Sequence, residues 1–446
     1  MKVGFYTLGC KLNQTETEAI LDAFVSCGNE AVSLQEEADL YVINTCTVTS
    51  KSEQKARRVI RHLLETYPHA RVVVTGCYAQ LSGEQLKLLG DRVVVVPGSA
   101  KDVLLDLPRC MDSTGNFLGE MMESAACGTF PLDTERPFRF FSPRFKFHAR
   151  ASLKIQDGCD HRCSYCRVRL ARGPSLSLPW ERVKERCLEL ASRGYKEIVL
   201  TGLNISQYRS EGKSLGDLLQ LLLELPLDLR IRLSSLEPEG ITPSFLDAVR
   251  DNRVCPHFHL SVQSGSDPIL QRMRRPYTAQ KVQSVVEALR KVKGDPYLAA
   301  DFIVGFPGET DAMYRDTLRF IQANAFTDLH LFPFSPRPGT EACELKPRVP
   351  ERVTRERLEE LTGLSTAFYR AYVERQVGQV REVLLEKHDS DEGWEGTSEN
   401  YLSVHIPFSP EEAPSERGGP TTLMKGERVL CKILQIRDKK LIGMIV

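Results

Sequence analysis

Apolar positions follow two rhythms along this chain. In the first hundred residues, short apolar runs (2–8, 39–44, 71–75 and 92–96) alternate with stretches whose apolar residues recur every three or four positions (14–26, 50–67 and 80–89). The runs read as buried strands and the periodic stretches as amphipathic helices. Strand–helix alternation predicts a parallel sheet with helices on its faces, an α/β arrangement. Around 113–142 the pattern dissolves into Gly, Pro, Met and scattered charge, which predicts a linker. A second series then begins, with strands expected at 153–157, 197–201, 230–234, 257–262, 298–304 and 328–334. Helical patterns separate them, notably at 179–192, 278–292 and 311–323. Six such units predict a partial (β/α)6 barrel, whose site belongs at the C-terminal ends of the strands. One charged helix is expected over 351–374. After it come short β-like runs split by a Pro-rich stretch, which predict a small β-barrel. The expected domains are therefore 1–112, a linker at 113–147, 148–376 and 377–446.

Composition narrows this picture. At 446 residues the chain exceeds one ordinary core, in keeping with several domains. Lys plus Arg (59) equals Asp plus Glu (59), so any nucleic-acid footprint must be local. The opening residues carry no signal-peptide pattern, and no apolar run reaches the roughly 18 residues of a membrane span. A cytoplasmic protein without membrane contact is expected. The 13 cysteines are the unusual count, and without a secretion pattern they point to metal or redox chemistry.

Their spacing sharpens the point. Cys159-x3-Cys163-x2-Cys166 follows the first strand of the second series. Thiolates are the standard ligands of iron–sulfur clusters, and three of them on a four-iron cube leave one iron open. Structural zinc prefers four ligands and fits less well. The following strands end in small or polar residues, giving Gly202 and Asn204, then Ser234, Ser235 and Glu237, then Gln263, then Gly305 as candidates for holding a cofactor. In the first domain Cys10, Cys46 and Cys77 each fall just after a strand. Parallel strands place their C-terminal ends on one edge, so these thiols are expected to converge there and hold a second cluster. His257 and His259 read as core or surface histidines.

The three-cysteine loop, with Tyr165 before its last Cys, resembles the radical S-adenosylmethionine superfamily, whose open iron chelates the cofactor's methionine. Two cysteine sets in this order, followed by a β-barrel tail, resemble the methylthiotransferase family over essentially the whole chain. That resemblance implies an N-terminal cluster domain, a radical barrel and a C-terminal TRAM domain. It also implies two [4Fe-4S] clusters and S-adenosylmethionine as cofactors. Gly9-Cys10-Lys11-Leu12-Asn13-Gln14 and Asn44-Thr45-Cys46-Thr47-Val48-Thr49 resemble the branch acting on N6-threonylcarbamoyladenosine beside the tRNA anticodon. The branches acting on isopentenyladenosine or on a ribosomal protein are the alternatives. A non-catalytic iron–sulfur RNA-binding protein is the rival from another class.

The resemblance implies the tRNA anticodon loop as partner. Reduced flavodoxin or ferredoxin is the expected electron donor, because cleavage of the cofactor needs a low-potential electron, and a monomer is expected. Local basic groups that could meet phosphates are Lys51, Lys55, Arg57, Arg58 and Arg61 on one helix, and Arg272, Arg274 and Arg275 on another segment. In the tail they are Lys432, Arg437, Lys439 and Lys440. That tail holds 9 Lys/Arg against 12 Asp/Glu, a poor count for an RNA-binding module. The chain also departs from the family pattern after Cys166, with Arg167, Arg169 and Pro174 there, and with Thr15 where the branch often has Tyr.

Overall fold

In the computed structural model, residues 1–110, 136–145, 149–390, 392–407, 423–437 and 440–446 are described. Strands β3 (Leu40–Thr45) and β4 (Arg71–Gly76) are apolar on both faces and buried, which puts them in the middle of a sheet. Around them lie β1 (Lys2–Thr7), β2 (Glu30–Val32) and β5 (Val93–Val95) in the order β2-β1-β3-β4-β5, all parallel. Helices α1 (Lys11–Ser26), α2 (Ser50–Thr66), α3 (Cys77–Lys87) and α4 (Val103–Cys110) cover its two faces.

The expected linker lies largely outside the described residues. In its described part, Arg136 and Arg139 pair with Asp102, and Phe138 and Phe140 are buried.

The second series gives β6 (Ala151–Lys154), a short β7–β8 hairpin (Gln156–Asp157 and Leu176–Ser177), and β9 (Glu197–Thr201). It continues with β10 (Arg230–Leu233), β11 (His257–Gln263), β12 (Tyr297–Val304) and β13 (Asp328–Pro333). Parallel bridges Ile231–Val254 and Leu236–Leu260 join two three-stranded sheets into the order β6-β9-β10-β11-β12-β13. Phe258, Leu260 and Val262 pack outward against the helices with Leu298, Ala300 and Phe302. The alternate residues, among them His259 and Asp301, therefore face the lumen.

Helix α12 (Glu351–Glu374) leads to the tail. There β14 (Val380–Asp389), β15 (Gly393–Ser398), β16 (Ser403–Ile406), β17 (Arg428–Arg437) and β18 (Lys440–Ile445) close a barrel in the order β14-β15-β16-β18-β17. This barrel caps the N-terminal ends of the larger one. Arg230 reaches the carbonyls of Glu382 (2.8 Å) and Thr397 (3.0 Å), and Arg232 those of Ser398 and Glu399 (3.1 Å each). No helix among the described residues is long and apolar enough to cross a membrane.

Candidate active site

The loop after β7 is held from several sides. The Cys159 amide donates to the Gly173 carbonyl at 3.1 Å, and the Ser164 amide to that of Met273 at 3.1 Å. Gly158 adopts φ +69°, and a Cβ there would collide with the Pro174 carbonyl. The three thiols then differ in environment. Burial works against ionisation of Cys163, but the His161 imidazole and the Arg275 guanidinium, whose Nη1 donates to its Sγ at 3.1 Å, outweigh it and lower its pKa. Burial raises Cys159, and it pushes Cys166 up to about 12 with Cys163 adding to it.

The strand ends of the first domain gather Cys10, Cys46 and Cys77 close enough for the charge of one to act on the others. Cys10 is the N-cap residue of the 16-residue helix α1, where the helix dipole favours a thiolate. Cys77 opens α3. Gly9 has φ +113°, and a Cβ there would lie 2.8 Å from the Cys46 Cβ. Asn13 ties the edge together by donating to the carbonyls of Leu8 (2.8 Å) and Thr45 (3.1 Å). Burial raises Cys46 to about 11 and also raises Cys10.

Arg172 ties the barrel to the first domain's thiols. It ends helix α5 (Val168–Arg172), directly after the barrel's cysteine loop, and its Nε donates to Cys77 Sγ at 3.4 Å. The same guanidinium binds Asn13 Oδ1 (2.6 Å), Glu16 (2.5 Å) and Asp157 (3.2 Å). Fully buried Glu16 also accepts from Lys101 (2.5 Å) and Lys154 (2.8 Å). Arg167 and Arg337 close the contact elsewhere by pairing with Glu53 of α2.

The remaining candidates fall in three groups. Asn204 stands beside Cys159, its Nδ2 3.9 Å from the Sγ. The buried Asn204 Oδ1, Thr201 Oγ1 and Ser234 Oγ lack a hydrogen-bond partner at the strand ends. Gly202, Gln263 and Gly305 occupy the same rim, and Tyr165 packs edge-on against Phe306. Glu237 pairs with Arg275, which also binds Tyr277 Oη (2.7 Å) and is buried. Arg275 is therefore corrected from a phosphate contact to an internal residue of the site, because its guanidinium is consumed by Glu237 and Cys163.

Arg58 and Lys432 are exposed, and half-buried Arg57 bonds Tyr78 Oη. Arg272 and Arg274 are exposed, with Arg274 paired to Glu341 at 2.5 Å. Lys439 lies outside the described residues. Arg167 and Arg169, the departures after Cys166, serve as internal ties, the latter to the Asp160 carbonyl at 2.9 Å.

His259, which on sequence reads as a core or surface histidine, has a different place. It forms a hydrogen-bonded chain through the lumen: Ser235 Oγ to His259 Nδ1 (2.9 Å), His259 Nε2 to Asp301 (2.8 Å), and Asp301 to His330 Nδ1 (3.3 Å). Bonds to Asp301 and Asp328 raise His330 to about 10, so it is charged at neutral pH. No spacing in the sequence marks this chain, since its members come from four different strands or strand ends.

Comparison with known proteins places this architecture. Residues 153–321 match the radical SAM superfamily, and residues 2–98 match the uncharacterized protein family UPF0004. The chain is 40% identical to the threonylcarbamoyladenosine tRNA methylthiotransferase MtaB of Treponema pallidum, over 93% of this chain and 94% of that one. It is 33% identical to the tRNA-2-methylthio-N(6)-dimethylallyladenosine synthase of Novosphingobium aromaticivorans, over 90% of each. Among solved structures, the radical S-adenosylmethionine methyltransferase TsrM of Kitasatospora setae shares the fold at a TM-score of 0.52, with 14% identity over 76% of each chain. The barrel with its cysteine loop is thus the core of a radical S-adenosylmethionine enzyme. The chain belongs to the radical S-adenosylmethionine methylthiotransferase family.

Membership implies a [4Fe-4S] cluster and S-adenosylmethionine. The residues present fit both: three thiols at the barrel mouth, a loop cradle that excludes a Cβ at Gly158, and unsatisfied polar atoms on the adjoining strand ends.

Proposed function

We propose that this chain inserts a methylthio group at C2 of N6-threonylcarbamoyladenosine at position 37, next to the anticodon of tRNA, giving the 2-methylthio derivative. The observation that carries this reading is the presence of two three-thiol sets, with Arg172 of the barrel reaching Cys77 of the other set, in a chain 40% identical to a relative named for that activity. Cys159, Cys163 and Cys166 hold the cluster at the barrel mouth. Cys10, Cys46 and Cys77 hold a second cluster on the facing sheet edge. Bound at the barrel mouth, cluster and cofactor supply a carbon radical able to remove the C2 hydrogen, which no ordinary side-chain base is strong enough to take. The chain's own residues position the reactants. Asn204, Ser234 and Gln263 offer polar atoms to the cofactor, and Arg275 steadies Cys163. Arg172 fixes the distance between the two halves.

The anticodon loop is single-stranded, so turning its base into the lumen costs a few kcal/mol at most. A reduced flavodoxin or ferredoxin is the electron source in this reading. Methylthiolation of dimethylallyladenosine is the second reading, favoured by the 33% relative. The polar lumen offers that apolar group little.

Two measurements test the proposal. Iron and sulfide are assayed on anaerobically reconstituted protein and on a Cys159/Cys163/Cys166→Ala variant. About eight irons falling to about four supports two clusters, whereas about four falling to none removes the second. Nucleoside analysis of tRNA from cells with and without the gene then identifies the base. Loss of the 2-methylthio derivative of dimethylallyladenosine, with that of threonylcarbamoyladenosine retained, overturns the substrate assignment.

A further inference from the structure

Lys11 directly follows Cys10 and begins α1, so its backbone is fixed beside the first domain's thiol edge. Its side chain is half-buried, within electrostatic reach of Arg150, Glu386, Glu197 and Arg232. The carboxylates there are already taken. Glu197 is shared by Arg230 and Arg232, and Glu386 binds Arg150 (2.9 Å) and Thr397 Oγ1 (3.0 Å). Among the described residues the Lys11 ammonium has neither a hydrogen bond nor an ion pair. A half-buried ammonium with no partner of its own is open to an anionic ligand, to which it would give a charge-assisted contact.

The surrounding surface has the same character. The Ser235–His259–Asp301–His330 chain makes the barrel lumen polar. The Tyr401 ring lies 5.2 Å from the Arg232 guanidinium and 4.2 Å from the His257 ring. An adenosine whose C2 lies at the sulfur-handling edge would direct its N6 substituent into this space. A threonylcarbamoyl group brings a carboxylate, a hydroxyl and two N–H groups there, whereas an isoprenoid brings only apolar surface.

We propose that the Lys11 ammonium binds the carboxylate of the substrate's N6 substituent, and so selects a carbamoyl-amino-acid adenosine over an isoprenoid one. The inference rests on the function proposed above and adds the residue that sets its specificity. Placing that residue next to Cys10 ties recognition of the substituent to the sulfur-handling edge: the carboxylate is held one side-chain length from a cluster ligand.

The test uses anaerobically reconstituted full-length protein and two synthetic anticodon stem-loops, one carrying threonylcarbamoyladenosine and one unmodified adenosine. Dissociation constants are measured for wild type, Lys11→Met and Lys11→Arg, with iron content determined for each. Wild type is expected to prefer the threonylcarbamoyl loop by about tenfold or more, the scale of one charge-assisted contact. Lys11→Met loses that preference with its iron intact, and Lys11→Arg keeps most of it. A Lys11→Met protein with the wild-type ratio overturns the inference and leaves the proposed function standing. Loss of the ratio in both variants together with loss of iron overturns it in favour of a structural role. Equal binding of both loops by wild type overturns the substrate reading and the inference with it.

Discussion

Replacing Glu16 by Gln removes one charge from the most deeply buried ionic group in the contact between the first sheet and the barrel. Glu16 sits among Lys101, Lys154 and Arg172, whose charges hold its carboxyl well below the ordinary range although burial opposes them. The loss does not fall equally on the three cations. Lys154 keeps Asp157 at 2.5 Å, and Arg172 keeps Asp157 and Asn13. Lys101 retains only Asn44 Oδ1, at 3.0 Å. Stranding one buried charge costs about 3–5 kcal/mol. An upper limit near 5 kcal/mol follows independently, because Lys101 can shed its proton, and an ordinary lysine pays about that much to do so at pH 7. Native-state hydrogen exchange over β3 and β4 is the assay, since these strands lie in the core beside the network. Exchange in Glu16→Gln should rise more than a hundredfold, a factor of ten for each 1.4 kcal/mol or so. Adding Lys101→Met should recover most of the loss by removing the stranded cation. A rise below tenfold, or a double variant no more protected than the single one, refutes the reasoning.

Three further expectations follow from the same structure. Burial alone would raise Glu197, but Arg232 and Arg230 outweigh it and lower it to about 2. Its contribution to stability is present above the ordinary carboxylate value and is lost as pH falls from about 4.5 toward 2. Unfolding followed across that window should show the loss, and Glu197→Gln should flatten it. Gly158→Ala must place a Cβ against the Pro174 carbonyl from a left-handed backbone, so about half the iron of the reconstituted protein should be lost; full iron content would count against the cradle. Arg337→Ala removes bonds to Ser50 (2.8 Å), Thr47 (3.2 Å) and Glu53. Limited proteolysis should then cut more quickly between sheet and barrel, at a cost of about 1–3 kcal/mol, and an unchanged digestion pattern would show that Arg167 suffices.

Regular elements with strong periodicity are legible in the sequence alone. Helix α12 runs over Glu351–Glu374 as its charged 3.6-residue pattern predicts, and the six barrel strands follow from apolar runs punctuated by Gly and Ser. Helix α1 was legible only in part. The pattern begins at Gln14, but the helix begins at Lys11, because Cys10 occupies the N-cap without any side-chain cap bond to announce it. Strand β15 was missed, since Gly393-Trp394-Glu395-Gly396-Thr397-Ser398 has no alternation, and its pairing with β14 and β16 is what makes it a strand. Side-chain partners over long separations were beyond sequence reading altogether. Arg275 looked like one of a basic cluster, yet its neighbours in space are Glu237 and Cys163, 38 and 112 positions away. The lumen chain was hidden for the same reason: topology, not spacing, brings Ser235, His259, Asp301 and His330 together.

The docking of the tail has an evolutionary consequence. Arg230 and Arg232 recognise it mainly through four main-chain carbonyls, at Glu382, Thr397, Ser398 and Glu399. A carbonyl is the same whatever side chain it carries. The larger barrel therefore constrains the path of the tail's backbone while leaving most of its sequence free to drift. A tail from a distant homologue, grafted with its strand ends in register, should seat on these two arginines, whereas a single replacement at either arginine has no counterpart change in the tail that could restore the fit.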